Sequence, residues 1–268
     1  MLDRIRIVLI GTSHPGNIGG TARAMHNMGL ADLALVSPRC EVVTADSVSR
    51  ASGADALVHQ ARVVDSLEDA VSDCSLVVGA SARSRTLPWP MITPRELGAR
   101  LPKELAQPQA RIALVFGRED SGLSNAELQR CHAHVHIPTN PDFSSLNLAA
   151  AVQVLAYECR LSWIEQPDAA PEQSDEELSQ PLATHEELEH YFAHLERTLV
   201  GIGFHDPATP RQLMARLRRM TLRSRPERME LNILRGILSA TEKATGQKSL
   251  GGRTGNSSCD AEDDAPHK

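Results

Sequence analysis

Across residues 1–164, short apolar runs alternate with stretches of helical periodicity, and that alternation admits few folds. Strands are expected at 5–10, 33–36, 61–64, 76–78, 112–116 and 135–137. Helices are expected at 21–28, 45–51, 67–72, 94–105, 125–131 and 145–163. Strands separated by helices imply an α/β domain with a mainly parallel sheet. In such a sheet, ligands gather at the carboxyl ends of the strands.

From 165 to 184 the chain changes character. EQPDAAPEQSDEELSQPLAT has three prolines, six acids and no aromatic residue, as a flexible linker would. Helical periodicity returns at 185–202, 210–222 and 226–244, with Pro210 and Pro226 where a first turn tolerates them. The expected organisation is therefore a domain over 1–164, a linker over 165–184, a helical extension over 185–245 and a disordered tail over 246–268. The net charge of −6 sits mostly in the linker, so it says little about the working surfaces.

Five scattered cysteines (40, 74, 131, 159 and 259) without a CxxC pair fit a reducing compartment. They argue against a disulfide framework or a zinc ribbon. The N-terminus reads as a strand, not a signal peptide, and no apolar run approaches the roughly 18 residues of a membrane span. A cytoplasmic address and no membrane association are expected.

Three motifs carry the chemistry. The first, Gly11-Thr-Ser-His-Pro-Gly-Asn17-Ile-Gly19-Gly20-Thr-Ala-Arg23, reads as a Gly-rich loop opening a helix, a form that offers backbone N–H groups to an anion. It is not a P-loop, because Asn17 and Ile18 follow Gly16 where Lys and Ser/Thr belong. It is not a dinucleotide fingerprint either, because the second strand ends Val36-Ser37-Pro38 without the required acid. These failures count against kinase and dehydrogenase readings. Asn17 and Arg23, six apart, are placed to face a common ligand. A plain capped turn is the alternative.

The second motif, Leu114-Val-Phe-Gly117-Arg118-Glu119-Asp-Ser-Gly122-Leu123, runs a buried strand into a polar turn; simple solvation of Arg118 and Glu119 is its bland reading. The third, Ile137-Pro-Thr-Asn-Pro-Asp-Phe-Ser144-Ser145-Leu146-Asn147-Leu148, leads from a strand to a helix. Helix capping alone would account for both serines.

Together the motifs N-I-G-x-x-A-R, F-G-x-E-x-x-G-L and I-P-x(n)-S-L-N-x-A, in this order, resemble the SPOUT superfamily and its TrmH-like RNA ribose methyltransferases. TSHPGN, SARSRTLPWP and SSLNLA are similar to the TrmJ type. The resemblance covers 1–164, and the helical extension also looks like that type. It implies a trefoil-knotted α/β fold and an active site built across a homodimer. The implied cofactor is S-adenosylmethionine with no metal, and the implied substrate is the ribose 2′-hydroxyl at position 32 of the tRNA anticodon loop. By motif match, the cofactor loops are Ala80, Ser81, Ala82, Gly117, Ile137, Ser144, Ser145 and Leu146. The catalytic set is Arg23, Asn17, Glu119, Ser145 and Asn147. A guanidinium stays protonated in proteins, so Arg23 is expected to stabilise the developing alkoxide or hold phosphate, not to act as a base. This intact polar set argues against an RNA-binding module without catalysis.

Seven arginines and one acid lie between Arg211 and Arg228. Arg211, Arg218, Arg219 and Arg225 are expected to share much of a helix face that contacts tRNA phosphate, with Arg83 and Arg85 as a second contact. A merely solvated face is the alternative. With aromatics at only 3%, stacking is not the main mode of RNA binding. His132, His134 and His136 alternate along one strand. A partly exposed strand face is expected there in preference to a zinc site.

Overall fold

The computed structural model describes residues 1–81, 89–165 and 181–246. Among the described residues, seven strands form one parallel sheet: β1 (Ile5–Ile10), β2 (Asp32–Val36), β3 (Arg62–Val64), β4 (Leu76–Ala80), β5 (Met91–Ile92), β6 (Ile112–Phe116) and β7 (Ala133–Val135). Their order is β3-β2-β1-β6-β4-β7-β5. The helices are α1 (Pro15–Met28), α2 (Ala45–Ala51), α3 (Asp55–His59), α4 (Leu67–Val71), α5 (Pro94–Glu104), α6 (Asn125–Arg130), α7 (Leu148–Glu165), α8 (His185–Gly201), α9 (Leu213–Ser224) and α10 (Arg228–Ala244).

Strand periodicity divides the core. Ile5, Ile7 and Leu9 point to the face covered by α1, α3, α5 and α7, where Ile18, Met25, Leu97, Val152 and Leu155 are buried. Val8 and Ile10 point to the opposite face, against Leu67, Val71 and Leu128 of α4 and α6. Both faces are covered, so the central strands are apolar throughout. The exception in β1 is Arg6, which is buried but held by Asp32 at 2.8 Å and by both carboxylate oxygens of Asp73.

Most of the glycine-rich stretch is helix, not loop: only residues 11–14 lie outside α1. His14 caps α1, its Nδ1 accepting from Gly16 N at 3.1 Å, and Pro15 occupies the first turn. Helix therefore begins six residues before the expected Thr21. Glycine costs a helix about 1 kcal/mol per residue, but packing requires it here. A Cβ on Gly19 would stand 2.0 Å from the Ser47 carbonyl oxygen of α2, and one on Gly20 would stand 3.0 Å from Ala149 Cβ of α7. The glycines let α1 settle between α2 and α7.

The histidine segment also departs from expectation. β7 starts two residues early, and His132 and His134 are buried. His132 Nδ1 accepts from Val77 N at 3.1 Å; His134 Nε2 lies 2.9 Å from Leu128 O, and its ring stacks on Trp89. Burial holds both below the usual histidine range, so both are neutral core residues. The two-residue β5 and the five-residue α3 are too short for a periodic signal.

The extension packs as a small helical unit whose core includes Leu188, Phe192, Leu222, Leu231 and, from the sheet domain, Trp89. Its order begins inside the expected linker: Ala183 N bonds Pro226 O at 3.0 Å, and Arg228 N bonds Pro181 O at 2.8 Å. It docks at the amino ends of the strands. His185 N bonds Cys74 O, Glu186 N bonds Ser72 O, and the Arg225 guanidinium reaches both Ser75 O and Glu104.

Candidate active site

At the opposite, carboxyl edge, the segments following β1, β6 and β7 converge. The Glu119 carboxylate accepts from Ser13 N, from Ser13 Oγ at 3.2 Å and from Asn17 Nδ2 at 2.9 Å. Asn17 Oδ1 in turn accepts from Asn147 Nδ2 at 3.1 Å, and Asn147 Oδ1 caps α7 by accepting from Ala149 N at 3.0 Å. Partial burial of Glu119 opposes its charge, but the donors from Asn17 and Ser13 outweigh it and hold the carboxyl below its ordinary range. Glu119 is therefore an anionic anchor with its lone pairs engaged.

Its neighbour Arg118 turns away and forms a two-pronged pair with Glu127 at 3.0 and 3.1 Å, so it is not merely solvated. The loop between them is tight: Gly122 N bonds Arg118 O at 2.8 Å, and a Cβ on Gly117 would meet Gly122 C at 2.1 Å. Only glycine fits at 117.

Strands β6, β4 and β7 are consecutive in the sheet, so Gly117, Ala80–Ser81 and Ile137 lie side by side at its edge. Ser81 N bonds Val135 O at 3.0 Å, and His136 Nδ1 lies 3.3 Å from Ser81 O, which joins two of these segments. Ala80 and Ile137 pack against the core, whereas Ser144, Ser145 and Leu146 are exposed. Because Asn147 caps α7, neither serine is needed as the cap. α7 accordingly starts at Leu148, not at the expected residue 145.

Known proteins match the chain over nearly its whole length. The model of the SpoU rRNA methylase family matches residues 4–157, and that of the tRNA methyltransferase TrmJ C-terminal domain matches 186–250. The chain belongs to the SpoU rRNA methylase family. It is 56% identical to the tRNA (cytidine/uridine/adenosine-2′-O-)-methyltransferase TrmJ of Pseudomonas aeruginosa, over 91% of this chain and 95% of that one. It is 53% identical to the tRNA (cytidine/uridine-2′-O-)-methyltransferase TrmJ of Yersinia pestis, over 91% and 93%. The crystal structure of TrmJ from Z. mobilis ZM4 superposes with a TM-score of 0.76 at 34% identity, covering 88% of this chain and 98% of that one.

Within this SpoU domain the structure joins Asn17, Glu119 and Asn147 in one hydrogen-bonded chain, with Ser145 two residues away in sequence. Arg23 is not among them. Six residues along a helix is a rotation of about 240°, so Arg23 leaves α1 on another side from Asn17. It is exposed and makes no hydrogen bond or ion pair with the described residues. Ser13, the second ligand of Glu119, went unmarked in the sequence reading although it lies within the first motif. Ala82, Arg83 and Arg85 lie outside the described residues.

The arginines of the extension do not share one face. Arg218 pairs with Glu189 over the Phe192 ring, and Arg225, in a left-handed conformation after α9, is committed to Glu104 and Ser75. Arg219 is half-buried and Arg211 exposed; Arg216 and Arg223, not singled out in the sequence, are exposed on α9. Among the described residues, no cluster of three or more histidine, cysteine or acidic side chains is placed to hold a metal ion, and no helix is long and apolar enough to cross a membrane.

Proposed function

We propose that this chain is a cytoplasmic tRNA ribose 2′-O-methyltransferase that acts as a homodimer on the nucleotide at position 32 of the anticodon loop. The observation that carries the reading is the Ser13–Glu119–Asn17–Asn147 chain, locked at the ligand edge of the sheet, with Arg23 on another side of the same helix and without a partner among the described residues. Identities of 51–56% with tRNA 2′-O-methyltransferases along more than nine-tenths of the chain support tRNA as the substrate.

The edge formed by Ala80, Ser81, Gly117, Ile137, Ser144, Ser145 and Leu146 fits S-adenosylmethionine. It has small residues that leave the backbone accessible, apolar surface for an adenine, and hydroxyls for a ribose. When bound, that cofactor supplies an electrophilic methyl group. The chain's own task is to align the ribose oxygen and stabilise its developing charge. Arg23 supplies the positive charge. Its direction away from its own Asn17 suits a site completed by the second protomer, with Arg23 of one chain serving the cofactor edge of the other. Asn17, held by Glu119 and Asn147, keeps a fixed amide at the site.

The deciding experiment is methyl transfer from labelled S-adenosylmethionine to unmodified tRNA, with the product nucleotide mapped by mass spectrometry. A 2′-O-methyl group at position 32 supports the proposal. A neighbour concerned with 2-OH methylation of C/U34 on tRNA (25% identity, TM-score 0.50) makes position 34 the informative alternative. Absence of transfer to any tRNA would overturn the assignment.

A further inference from the structure

Among the described residues, Phe143 is the most exposed large hydrophobic side chain, at 78%. It is not on a loose tail. Pro141–Phe143 form a 3-10 turn in which Asn140 Oδ1 accepts from Asp142 N at 3.1 Å and Phe143 N bonds Asn140 O at 3.0 Å. Thr139 Oγ1 donates to Ser144 O at 3.2 Å and closes the turn from the other side. The ring is thus held outward immediately before Ser144, Ser145 and Leu146, and four residues before Asn147. The chain has eight aromatic residues. Phe116 is buried as the last residue of β6, and Trp89, between β4 and β5, is buried against His134; among the described residues of the segments that link each strand to the next element, Phe143 is the exposed aromatic side chain.

An exposed phenyl ring costs solubility and adds nothing to the core, and here it stands at the rim of the proposed catalytic edge. We propose that Phe143 is a stacking platform for the base of the target nucleotide, holding that base while its ribose enters the site. The inference rests on the proposed tRNA ribose methylation. A ribose methyltransferase has no need to read base edges, and stacking is tolerant because every base has a π-face. The relatives' names fit such a contact, since they include cytidine, uridine and, for the Pseudomonas protein, adenosine. One ring holding one base is also compatible with the low aromatic content, because the rest of the RNA would be bound through phosphate.

The test compares wild type with Phe143→Ala, Phe143→Leu and Phe143→Tyr as full-length proteins. It uses unmodified tRNA and the same tRNA with an abasic ribose at the target position. With intact tRNA, Ala and Leu should both lower kcat/KM by roughly 5- to 150-fold, while Tyr stays near wild type. On abasic tRNA, wild type should lose a similar factor and Phe143→Ala should lose little more, since both changes remove the same contact. S-adenosylmethionine affinity by calorimetry and the molecular mass in solution should not change in any variant. Leu behaving like Phe would overturn the proposal. So would a parallel loss of cofactor affinity, placing the ring on the cofactor, or a loss of dimer, placing it in a subunit interface. Failure of the wild type to methylate any tRNA would remove the underlying reading and this inference with it, an outcome distinct from a variant-specific null.

Discussion

Asn147 Nδ2 donates to Asn17 Oδ1 at 3.1 Å, so one side chain both caps α7 and sets the amide of a residue 130 positions earlier. The two roles separate by substitution. In Asn147→Asp the cap is kept, because Asp serves as well as Asn at that position, but the donor to Asn17 is gone. Turnover should fall on the order of ten-fold, the worth of about one hydrogen bond, with thermal stability unchanged. Asn147→Ala should lose the same activity and in addition about 1 kcal/mol of stability. Steady-state kinetics and thermal melts on the two variants decide it. Equal activity of Asp and wild type would show that the asparagine pair is only a cap.

Arg23 has no partner among the described residues of its own chain, so removing it should leave the fold intact. Arg23→Ala is expected to abolish methyl transfer while leaving both the melting temperature and S-adenosylmethionine affinity near wild type. Methylation persisting at a comparable rate would reject Arg23 as the group that stabilises the developing alkoxide.

How much of this was legible in the sequence depends on the range of the forces involved. Five of seven strands were placed nearly in register, because runs such as Ile112–Phe116 are buried on both faces and leave a continuous apolar signature. Asn17, Glu119 and Asn147 were nominated from motifs, and they do meet. The failures are tertiary. Gly16, Gly19 and Gly20 look like a loop by propensity, and only the positions of α2 and α7 make them helical. His132 looks half-exposed until Val77 N and the covering extension bury it. Arg218 and Arg225 look like an RNA-facing surface until Glu189 and Glu104, far away in sequence, claim them.

The glycines give a paired stability test. Gly19→Ala forces a methyl group to within 2.0 Å of the Ser47 carbonyl. The two helices must then separate, at a cost of about 1–3 kcal/mol. Gly236, in α10, has nothing within 4 Å of an added Cβ and no left-handed backbone. Gly236→Ala should therefore stabilise by about 0.5–1 kcal/mol. Urea melts of the two variants should move in opposite directions, and a shared direction would contradict the close approach of α1 and α2.

The extension's arginines should divide the same way. Arg225→Ala leaves the partly buried Glu104 without its cation and should destabilise by on the order of 2 kcal/mol. Arg216→Ala with Arg223→Ala should leave stability unchanged but weaken tRNA binding and reduce its salt dependence, if the exposed side of α9 meets phosphate. Binding isotherms at several salt concentrations measure this. An unchanged salt slope in the double variant would assign that surface to solvent.

His185 sits at the seam where the extension meets the sheet domain. It is buried at the first turn of α8, both ring nitrogens lack a hydrogen bond, and Glu189 is 3.7 Å away. Burial pushes its pKa down to about 4, with Arg218 and Arg130 adding to the depression and Glu189 and Glu68 opposing it. The unfolded chain has the ordinary value near 6.5. Between pH 6.5 and 4 the unfolded state therefore binds a proton that the folded state refuses, and stability falls as pH drops through that window. The loss should be on the order of 2 kcal/mol at pH 5. His132 faces the same seam and is depressed too, so His185→Gln should keep only part of the slope. Melts of wild type and His185→Gln at pH 7.5, 6.5, 5.5 and 5.0 separate the contributions. Superimposable pH profiles would mean that His185 is not the group that ties the extension's docking to acidity.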